Sequence, residues 1–501
     1  MPAKRTTSLL SKLSQLLETF RKFVASHPEW WMPVGLALAG ALFYSWISVA
    51  KHNDFASTMD IGLFNQTIRG YSHFQSVENT ISLVPTLLAE HFHPALVLLA
   101  PFQWIWGDER MLLILQSLLL ALGSLPVVAY ARQKKLPEEF TLAVQLAYLC
   151  FWGIIAGAIY DFHEVALAVP LISFALYGVF SKNNRMLWVS VILGLLVKEN
   201  MPLIFFMLGI YVAVFQRRWV LGALIAGVSV LYYLAVIKLL TSGALGAPYK
   251  FWNYPNLGGS SSEALQFMLS HPAKTFAMFL DDPAKRETIN RLFRSWLYLP
   301  LFSPISIIAL PTFVERFLSP NGAFWQSYYH YTLTVTPIFA FGSVQVLNWI
   351  NVLIKRFNLK PLVKLAPAAF LIAGLPITGF LYTENFRWKP LKASEKANYR
   401  ECLATIPDDA SVVASNGFVS HLSRRDAIYA LRTPKLRADY IAVNRFMTFE
   451  MGPDDLKKYI NTLIDTDGYS VTCVHDPVIV LKKGSGTSVP LDPGMKLFLD
   501  R

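Results

Sequence analysis

Five short segments of this sequence carry the side chains that could bind or activate a substrate. Each segment places acidic, histidine, lysine or tyrosine residues beside long apolar runs, a pattern typical of functional groups at the ends of membrane-spanning helices. Carboxylates can take up protons, a lysine can offset negative charge, and an imidazole can do either or bind a metal. The segments contain Asp54 and Asp60; Glu90, His91 and His93; Asp161, His163 and Glu164; Lys198 and Glu199; and Tyr329 and His330.

Composition indicates that these segments belong to an integral membrane protein. Of 501 residues, 54% are hydrophobic and 16% are charged, with a mean hydropathy of +0.39. Soluble chains carry about 25% charged residues. The net charge of +12 comes from 45 basic and 33 acidic residues, and we attribute it to cytoplasmic loops and anionic lipid headgroups. The sequence has no basic groove with interleaved aromatic residues, so no nucleic-acid partner is expected.

Hydropathy and positive charge together predict about eleven membrane spans, with the N-terminus in the cytoplasm. Residues 1–29 form the cytoplasmic N-terminal segment and residues 30–383 the helical membrane domain, with large external loops at 51–93 and 241–287. Runs of about 12–15 residues are short for a bilayer, so their polar turns are expected to sink into a water-filled cavity. The predicted spans are 30–50, 111–131, 140–159, 164–180, 186–197, 201–215, 220–240, 288–302, 305–318, 332–354 and 365–383, with a re-entrant or interfacial helix at 94–106.

A small extracytoplasmic α/β domain is predicted for residues 384–501, where hydropathy falls. This domain has no acid pair or nucleophile arrangement of its own, and it could bind or position an acceptor. Cys402 and Cys473 both lie in it and could pair in an oxidising compartment. Its short β-type runs are 411–414, 427–430, 440–443, 470–474 and 478–481, and a helical pattern covers 453–464.

Each polar segment also has a purely structural interpretation. Asp60 could cap the amphipathic helix that follows it, and Lys198 and Glu199 could be paired neighbours between two short helices. A divalent-metal site is a further alternative, because imidazole and carboxylate ligands from separate segments suit Zn²⁺ or Mn²⁺. Its ligands would be His91, His93, Asp161 and His163.

The motifs resemble those of a prokaryotic family of predicted membrane proteins, the domain-of-unknown-function 2079 family. The resemblance extends over about residues 50–450. It is carried by residues 60–66 (DIGLFNQ), 91–94 (HFHP), 161–164 (DFHE), 197–200 (VKEN), 254–265 (YPNLGGSSSEAL) and 411–425 (SVVASNGFVSHLSRR).

That family is similar to the type C glycosyltransferases, polytopic membrane enzymes that move a sugar from a polyprenyl-phosphate donor to an extracytoplasmic acceptor. The resemblance implies the same helical fold and an acidic base in the first external loop. Asp60 is the best positional match for this base and Asp54 is the next. Ile61 stands where a paired acid is usual, and residues 30–383 contain no Asp-x-Asp motif like that of the metal-dependent oligosaccharyltransferases. A mechanism that requires no cofactor is therefore expected, with metal left open by the histidines.

The function implied by the resemblance is an inverting sugar transfer in the cytoplasmic membrane, from a polyprenyl-phosphate-linked donor to a glycan, lipid or protein acceptor. Lys198, with Arg69 or His330, is expected to hold the donor phosphate. A transporter or lipid flippase and a non-catalytic receptor or scaffold are the competing classes. The residues expected to orient the sugar or acceptor are Glu90, His91, His93, Asp161, His163, Glu164, Glu199 and Tyr329.

Overall fold

Apolar helices and one small sheet make up the fold. The computed structural model describes residues 26–75, 78–247, 249, 252–357, 388–447, 451–484, 486 and 488–500, together with residue 18. Helices dominate up to residue 357, and all the strands lie beyond residue 411. This division agrees with the predicted fold class, a polytopic helical membrane protein with a small C-terminal α/β part.

The helices of the first part vary widely in length. They are α1 (Trp31–Asn53), α2 (Asp60–Ser72), α3 (Leu87–Glu90), α4 (Ala100–Gln103), α5 (Arg110–Leu122), α6 (Ser124–Gln133), α7 (Glu138–Leu149), α8 (Trp152–Tyr160), α9 (Ala168–Phe180), α10 (Asn184–Leu195), α11 (Met201–Val214), α12 (Trp219–Thr241), α13 (Ser261–Ser270), α14 (Pro272–Met278), α15 (Pro283–Arg294), α16 (Leu310–Phe317), α17 (Gly322–Trp325) and α18 (Val335–Arg356).

Five helical stretches in the described part of the chain are long and apolar enough to cross a membrane, and four more are apolar but shorter. The predicted count of eleven spans is not confirmed, and the span predicted at 365–383 lies outside the described residues. The long stretches are Pro28–Asn53, Arg110–Gln133, Glu138–Tyr160, Trp219–Thr241 and His330–Arg356, and the shorter ones are Pro94–Gln103, Glu164–Phe180, Asn184–Leu195 and Met201–Val214.

The pair of spans predicted at 288–302 and 305–318 has a different structure. The chain there forms α15, two 3₁₀ helices (Leu299–Phe302 and Pro304–Ala309) and the short helix α16. Proline removes a backbone donor and clashes with the preceding turn, so Pro300, Pro304 and Pro311 divide the apolar sequence into pieces. As a result, α16 lies at the polar end of the bundle.

Within the described residues, the sheet part has five strands and four helices. In sheet order β2–β1–β3–β5–β4, β1 pairs in parallel with β2 and β3, and the other neighbours are antiparallel. The predicted strands and helix agree with the structure to within two residues. The elements are α19 (Ala393–Ala404), β1 (Val412–Ala414), α20 (Asn416–His421), β2 (Ile428–Ala430), β3 (Tyr440–Asn444), α21 (Pro453–Asp465), β4 (Tyr469–His475), β5 (Val478–Lys483) and α22 (Pro493–Leu499).

The two faces of the sheet belong to different hydrophobic cores. Val412 and Ala442 are part of a cluster that continues into the helical bundle, whereas Val413 and Ile441 pack with α21 and α22. Neighbouring strand residues point to opposite faces, so strands covered on both sides have continuous apolar sequences. A disulfide between Cys402 and Cys473 joins α19 to β4. The sequence allowed this pairing without requiring it.

Helices α11 and α12 approach each other closely at two glycines. A Cβ atom added at Gly209 would lie 2.6 Å from the backbone nitrogen of Ala226, and one added at Gly222 would lie 2.5 Å from that of Ala213. Small residues at such contacts allow the backbones of membrane helices to pack directly.

We predict that Gly209→Ala destabilises the protein by about 1–3 kcal/mol, the usual cost of overpacking a filled contact. Gly227→Ala is the matched control, because no atom lies within 4 Å of a Cβ added at that position of α12. Thermal unfolding of the purified proteins in lipid nanodiscs measures both. Equal melting temperatures for the two variants would contradict the close contact.

Candidate active site

A cavity of about 230 Å³ lies where the polar ends of several helices meet. Residues from all five sequence segments line it, so the fold brings these segments together at one place. Tyr249, Asn253 and Tyr254, with Thr312, Glu315 and Arg316, complete the wall. The polar residues of the lining are Asp60, Glu90, His91, His93, His163, Glu164, Lys198, Glu199, Asn200, Tyr249, Asn253, Tyr254, Thr312, Glu315, Arg316, His330, Tyr331 and Thr334.

Asp60 is the first residue of α2, and its carboxylate faces the cavity. The N-cap of this helix is Met59, and no side chain makes a capping hydrogen bond there, so Asp60 is not the cap that the structural interpretation proposed. Its side chain is 23% exposed, and its Oδ2 lies 3.6 Å from Nε2 of His163. A partly exposed carboxylate beside an imidazole can accept a proton from a bound hydroxyl.

Lys198 and Glu164 form a buried ion pair in the cavity wall. Nζ of Lys198 lies 2.7 Å from Oε1 of Glu164, and their side chains are 12% and 2% exposed. Burial lowers the pKa of Lys198, but the charges of Glu164 and Glu199 raise it more, so the net direction is upward. Lys198 therefore keeps its charge, and Glu164 already neutralises much of it.

Glu199 is held by a second ion pair on the same wall. Its Oε1 lies 2.6 Å from Nδ1 of His91, and its Oε2 accepts a hydrogen bond of 3.0 Å from the backbone N–H of Phe92. Burial raises the pKa of Glu199, but His91 and Lys198 lower it to about 2 overall. This carboxylate is ionised at neutral pH and fixes the 91–93 segment against the turn before α11.

Three buried histidines leave ring nitrogens free in the cavity wall. The rings of His163 and His330 stack with centroids 3.6 Å apart, and His93 is 1% exposed. The Nδ1 atoms of all three have no hydrogen-bond partner among the described residues. An unsatisfied buried polar atom is costly, so each of these three imidazoles keeps one unused hydrogen-bonding position beside the cavity.

Arg316 and Glu315 are cavity residues that the sequence analysis missed. Arg316 is 2% exposed, and its guanidinium donates to the carbonyl of Phe324 and to Oγ1 of Thr332, both at 2.9 Å. Among the described residues, the hydrogen bonds of this guanidinium all go to uncharged oxygens. The sequence did contain a signal for these two residues. An Arg and a Glu inside the apolar run 305–318 would cost much free energy at membrane depth, which is typical of functional residues.

Glu315 is bound by a residue from the Lys198 turn. Nδ2 of Asn200 donates to both carboxylate oxygens of Glu315, at 2.8 and 2.7 Å. The backbone carbonyl of Glu315 accepts from the hydroxyl of Tyr254 at 2.9 Å. These bonds connect α16 to both other parts of the wall and hold Arg316 in place beside them.

Two predicted acids lie outside the cavity. Asp54 forms an ion pair with Lys396 and accepts a 3.0 Å hydrogen bond from Trp388, so it joins the bundle to the sheet part. Asp161 lies 3.3 Å from Nζ of Lys51 and accepts two 2.7 Å bonds from Thr58. Both carboxylates are engaged in holding neighbouring segments together.

Two other predicted residues also lie away from the cavity. Arg69 pairs with Asp426 at 3.0 Å on a partly exposed surface, which gives it no direct contact with a phosphate in the cavity. The ring of Tyr329 packs on Tyr160 with centroids 4.8 Å apart, and Tyr331 lines the cavity in its place.

The four residues suggested as metal ligands form no compact set of ligand atoms among the described residues. Asp161 is held by Lys51 and Thr58, and no group that includes His91, His93 or His163 has three ligand atoms within 4.8 Å of one another in the described part. Two other groups meet that criterion. They are Cys402, Cys473 and His475, whose cysteines form the disulfide, and His52, Glu109 and His421.

The His52, Glu109 and His421 group has its own hydrogen bonds. Nε2 of His52 lies 3.1 Å from Oε1 of Glu109, and Nε2 of His421 donates to the backbone carbonyl of His52 at 2.9 Å. The two imidazole rings stack at 4.0 Å with an angle of 20°. Ring lone pairs lie in the ring planes, so nearly parallel rings do not aim at one ion. The group joins the sheet part to the bundle.

The described residues form a helical membrane bundle with a polar cavity at one end and a small sheet part docked beside it. The solved structure of ArnT from Cupriavidus metallidurans in the apo state is similar, with a TM-score of 0.53 and 12% identity, covering 91% of this chain and 99% of that chain. A likeness at this identity concerns the fold alone. The family model for the predicted membrane protein family DUF2079 matches residues 51–480, and the chain belongs to this family. No curated protein matches the chain.

We predict that Lys198→Met destabilises the protein by about 3–5 kcal/mol, because it leaves the buried charge of Glu164 unpaired. The double variant Lys198→Met/Glu164→Gln should recover most of this loss. Arg445→Gln is the control, since it breaks a more exposed ion pair with Asp476 whose contribution is below about 1 kcal/mol. Unfolding in nanodiscs measures all three, and a double variant no more stable than Lys198→Met would contradict the pairing.

Proposed function

We propose that this protein is a membrane glycosyltransferase that moves a sugar from a polyprenyl-phosphate-linked donor to an acceptor, with Asp60 as the base. The observation that carries the proposal is one cavity that combines a partly exposed carboxylate with buried cations. This cavity occupies the polar end of a bundle whose fold is similar to that of ArnT, a type C glycosyltransferase. Sugar transfer needs both kinds of group within reach of one bound molecule.

The cavity size favours a small sugar head. Sites for drug-sized ligands have volumes of about 300–1,000 Å³, and this cavity of about 230 Å³ lies just below that range. A single sugar with its phosphate suits such a space better than an oligosaccharide. The prenyl chain would then remain in the bilayer beside the short helices.

Arg316 is the best candidate to hold the donor phosphate. Lys198 is already paired with Glu164, and His91 with Glu199, whereas the buried guanidinium of Arg316 donates only to uncharged oxygens of the described chain. Guanidinium groups recognise phosphate through several directed hydrogen bonds. The sequence-based assignment to Lys198 is therefore extended to Arg316, with Lys198 as the neighbouring positive charge.

The proposed step is a single inverting displacement. An acceptor hydroxyl loses its proton to the Asp60 carboxylate while its oxygen bonds to the anomeric carbon of the sugar. The bond from that carbon to the phosphate oxygen breaks, and polyprenyl phosphate leaves with the electron pair. Arg316 and Lys198 offset the charge that develops on the phosphate, and the proton on Asp60 is then lost to water. His93, His163 and His330 would orient hydroxyl groups through their free nitrogens.

The disulfide supports an extracytoplasmic position for the sheet part and for the adjacent cavity. Disulfides persist in oxidising compartments and are rare in the cytosol, and Cys402 and Cys473 are bonded in the sheet part. This orientation agrees with the positive charges predicted for the cytoplasmic loops. The acceptor would then be a glycan, lipid or protein of the cell envelope.

Donor binding tests the phosphate assignment. Native mass spectrometry of the purified chain, offered polyprenyl phosphate and polyprenyl-phospho-sugars, should detect saturable binding that Arg316→Gln weakens by about tenfold or more, the value of one charge-assisted hydrogen bond. Arg445→Gln, a cation of the sheet part away from the cavity, is the control. Equal binding by wild type and Arg316→Gln would remove Arg316 from the site.

Turnover with the donors that bind tests the base. Asp60→Asn should lower turnover by at least about a hundredfold, because general-base catalysis contributes that much, and Asp476→Asn should retain it. Loss on Asp54→Asn with full activity of Asp60→Asn would move the base to Asp54. Transport of the lipid across a vesicle bilayer without sugar transfer would instead favour the flippase class.

A further inference from the structure

The turn that carries Asp60 is held from two sides. Residues 54–59 connect α1 to α2, and Asp60 begins α2 directly after this connection. A base at the start of a helix depends on that turn for its direction, since its own side chain makes no capping bond there. The contacts of residues 55–59 therefore decide where the Asp60 carboxylate points.

The bundle holds this turn through Asp161. The backbone N–H and the hydroxyl of Thr58 both donate to Oδ2 of Asp161 at 2.7 Å, and Lys51 lies 3.3 Å from the other oxygen. Oγ1 of Thr58 in turn accepts from the backbone N–H of Asp60 at 3.3 Å. This side of the turn is fixed by one buried carboxylate.

The sheet part holds the same turn through the start of α20. The backbone N–H of Met59 donates to Oδ1 of Asn416 at 2.5 Å. The next residue, Gly417, lies against the turn so closely that an added Cβ atom would clash with the carbonyl oxygen of Phe55. Arg432 also contacts the Met59 sulfur at 3.1 Å.

Helix α2 continues this contact beyond Asp60. Nδ2 of Asn65 donates to Oγ of Ser423 at 2.9 Å, and Nε2 of Gln66 donates to the carbonyl of Asp426 at 3.0 Å. A Cβ atom added at Gly62 would lie 3.1 Å from the side chain of Val419. The side of α2 that bears these residues is therefore covered by the sheet part.

We propose that the sheet part positions the base: Asn416 and Gly417 are positioning residues that set the direction of the Asp60 carboxylate. This inference rests on the proposed function. No residue beyond Thr334 is among those that line the cavity in the described chain, so the sheet part acts on the reaction through the turn at 55–59. A misplacement of about 1 Å at a reacting group can cost about a hundredfold in rate.

Two variants test this with matched controls. Gly417→Ala adds one methyl group against the turn, while Gly452→Ala adds one where no atom lies within 4 Å and φ is −62°. Asn416→Ala removes the bond to Met59 without adding atoms, and Asn416→Asp keeps an oxygen acceptor at the same place. The full chain in nanodiscs is used throughout, and thermal unfolding verifies that each variant is folded.

Hydrogen–deuterium exchange of the peptide that spans residues 55–62 needs no donor. We expect exchange about tenfold faster in Gly417→Ala and Asn416→Ala, the factor that a lost hydrogen bond corresponds to, and unchanged exchange in Gly452→Ala and Asn416→Asp. Unchanged exchange in both Gly417→Ala and Asn416→Ala would overturn the proposal. Asn416→Ala decides alone if Gly417→Ala fails to fold.

Turnover provides the second readout. With a donor that the wild type uses, Gly417→Ala and Asn416→Ala should lower kcat by up to about a hundredfold and leave the KM for the donor unchanged, because the cavity walls are intact. Faster exchange with unchanged kcat would also overturn the positioning role. Failure of the wild type to use any donor would refute the sugar-transfer function, while the exchange result would still decide whether the sheet part holds the turn.

Discussion

The structure depends on one constraint, that a charge buried in the protein interior needs a partner. Removing an ion from water costs several kcal/mol unless a partner of opposite charge lies beside it. Glu164 pairs with Lys198, Glu199 with His91, and Asp161 with Lys51. Each pair joins segments far apart in the sequence, so satisfying the charges also determines how the helix ends are arranged around the cavity.

The same constraint distinguishes charged residues that are paired within the protein from charged residues that can still bind a ligand. The paired residues form the wall. Among the residues that the structure describes, the Asp60 carboxylate has the imidazole of His163 at 3.6 Å as its ionisable neighbour, and Arg316 donates to uncharged oxygens. A bound phosphate and sugar would supply the charge and the hydroxyl groups that these two residues lack. The fold is complete without a ligand, but these two residues still have unused charge and hydrogen-bonding capacity. Residues of a binding site keep such capacity for the ligand.

Local patterns in the sequence predict much of this structure. The strand predicted at 440–443 is Tyr440–Asn444, and the helix predicted at 453–464 is Pro453–Asp465, because apolar runs and turn residues act over a few positions. The sequence ranked Asp60 above Asp54 by position alone, since the partner that holds Asp54 is Lys396, more than 300 residues away. Arg316 was missed because the apolar run 305–318 was predicted to be a membrane span. The structure shows that this run forms short helices instead, and that α16 lies at the cavity.

The core on one face of the sheet continues into the bundle without a break. Val412, Ala442 and Val480 share a hydrophobic cluster with helices of the membrane part. A sheet separated from the bundle would expose this face to water. The free-energy cost would be roughly 25 cal/mol for every Å² of exposed apolar surface. Contact with the bundle therefore stabilises the sheet part. Substitutions on this face of the sheet change its packing against the membrane helices.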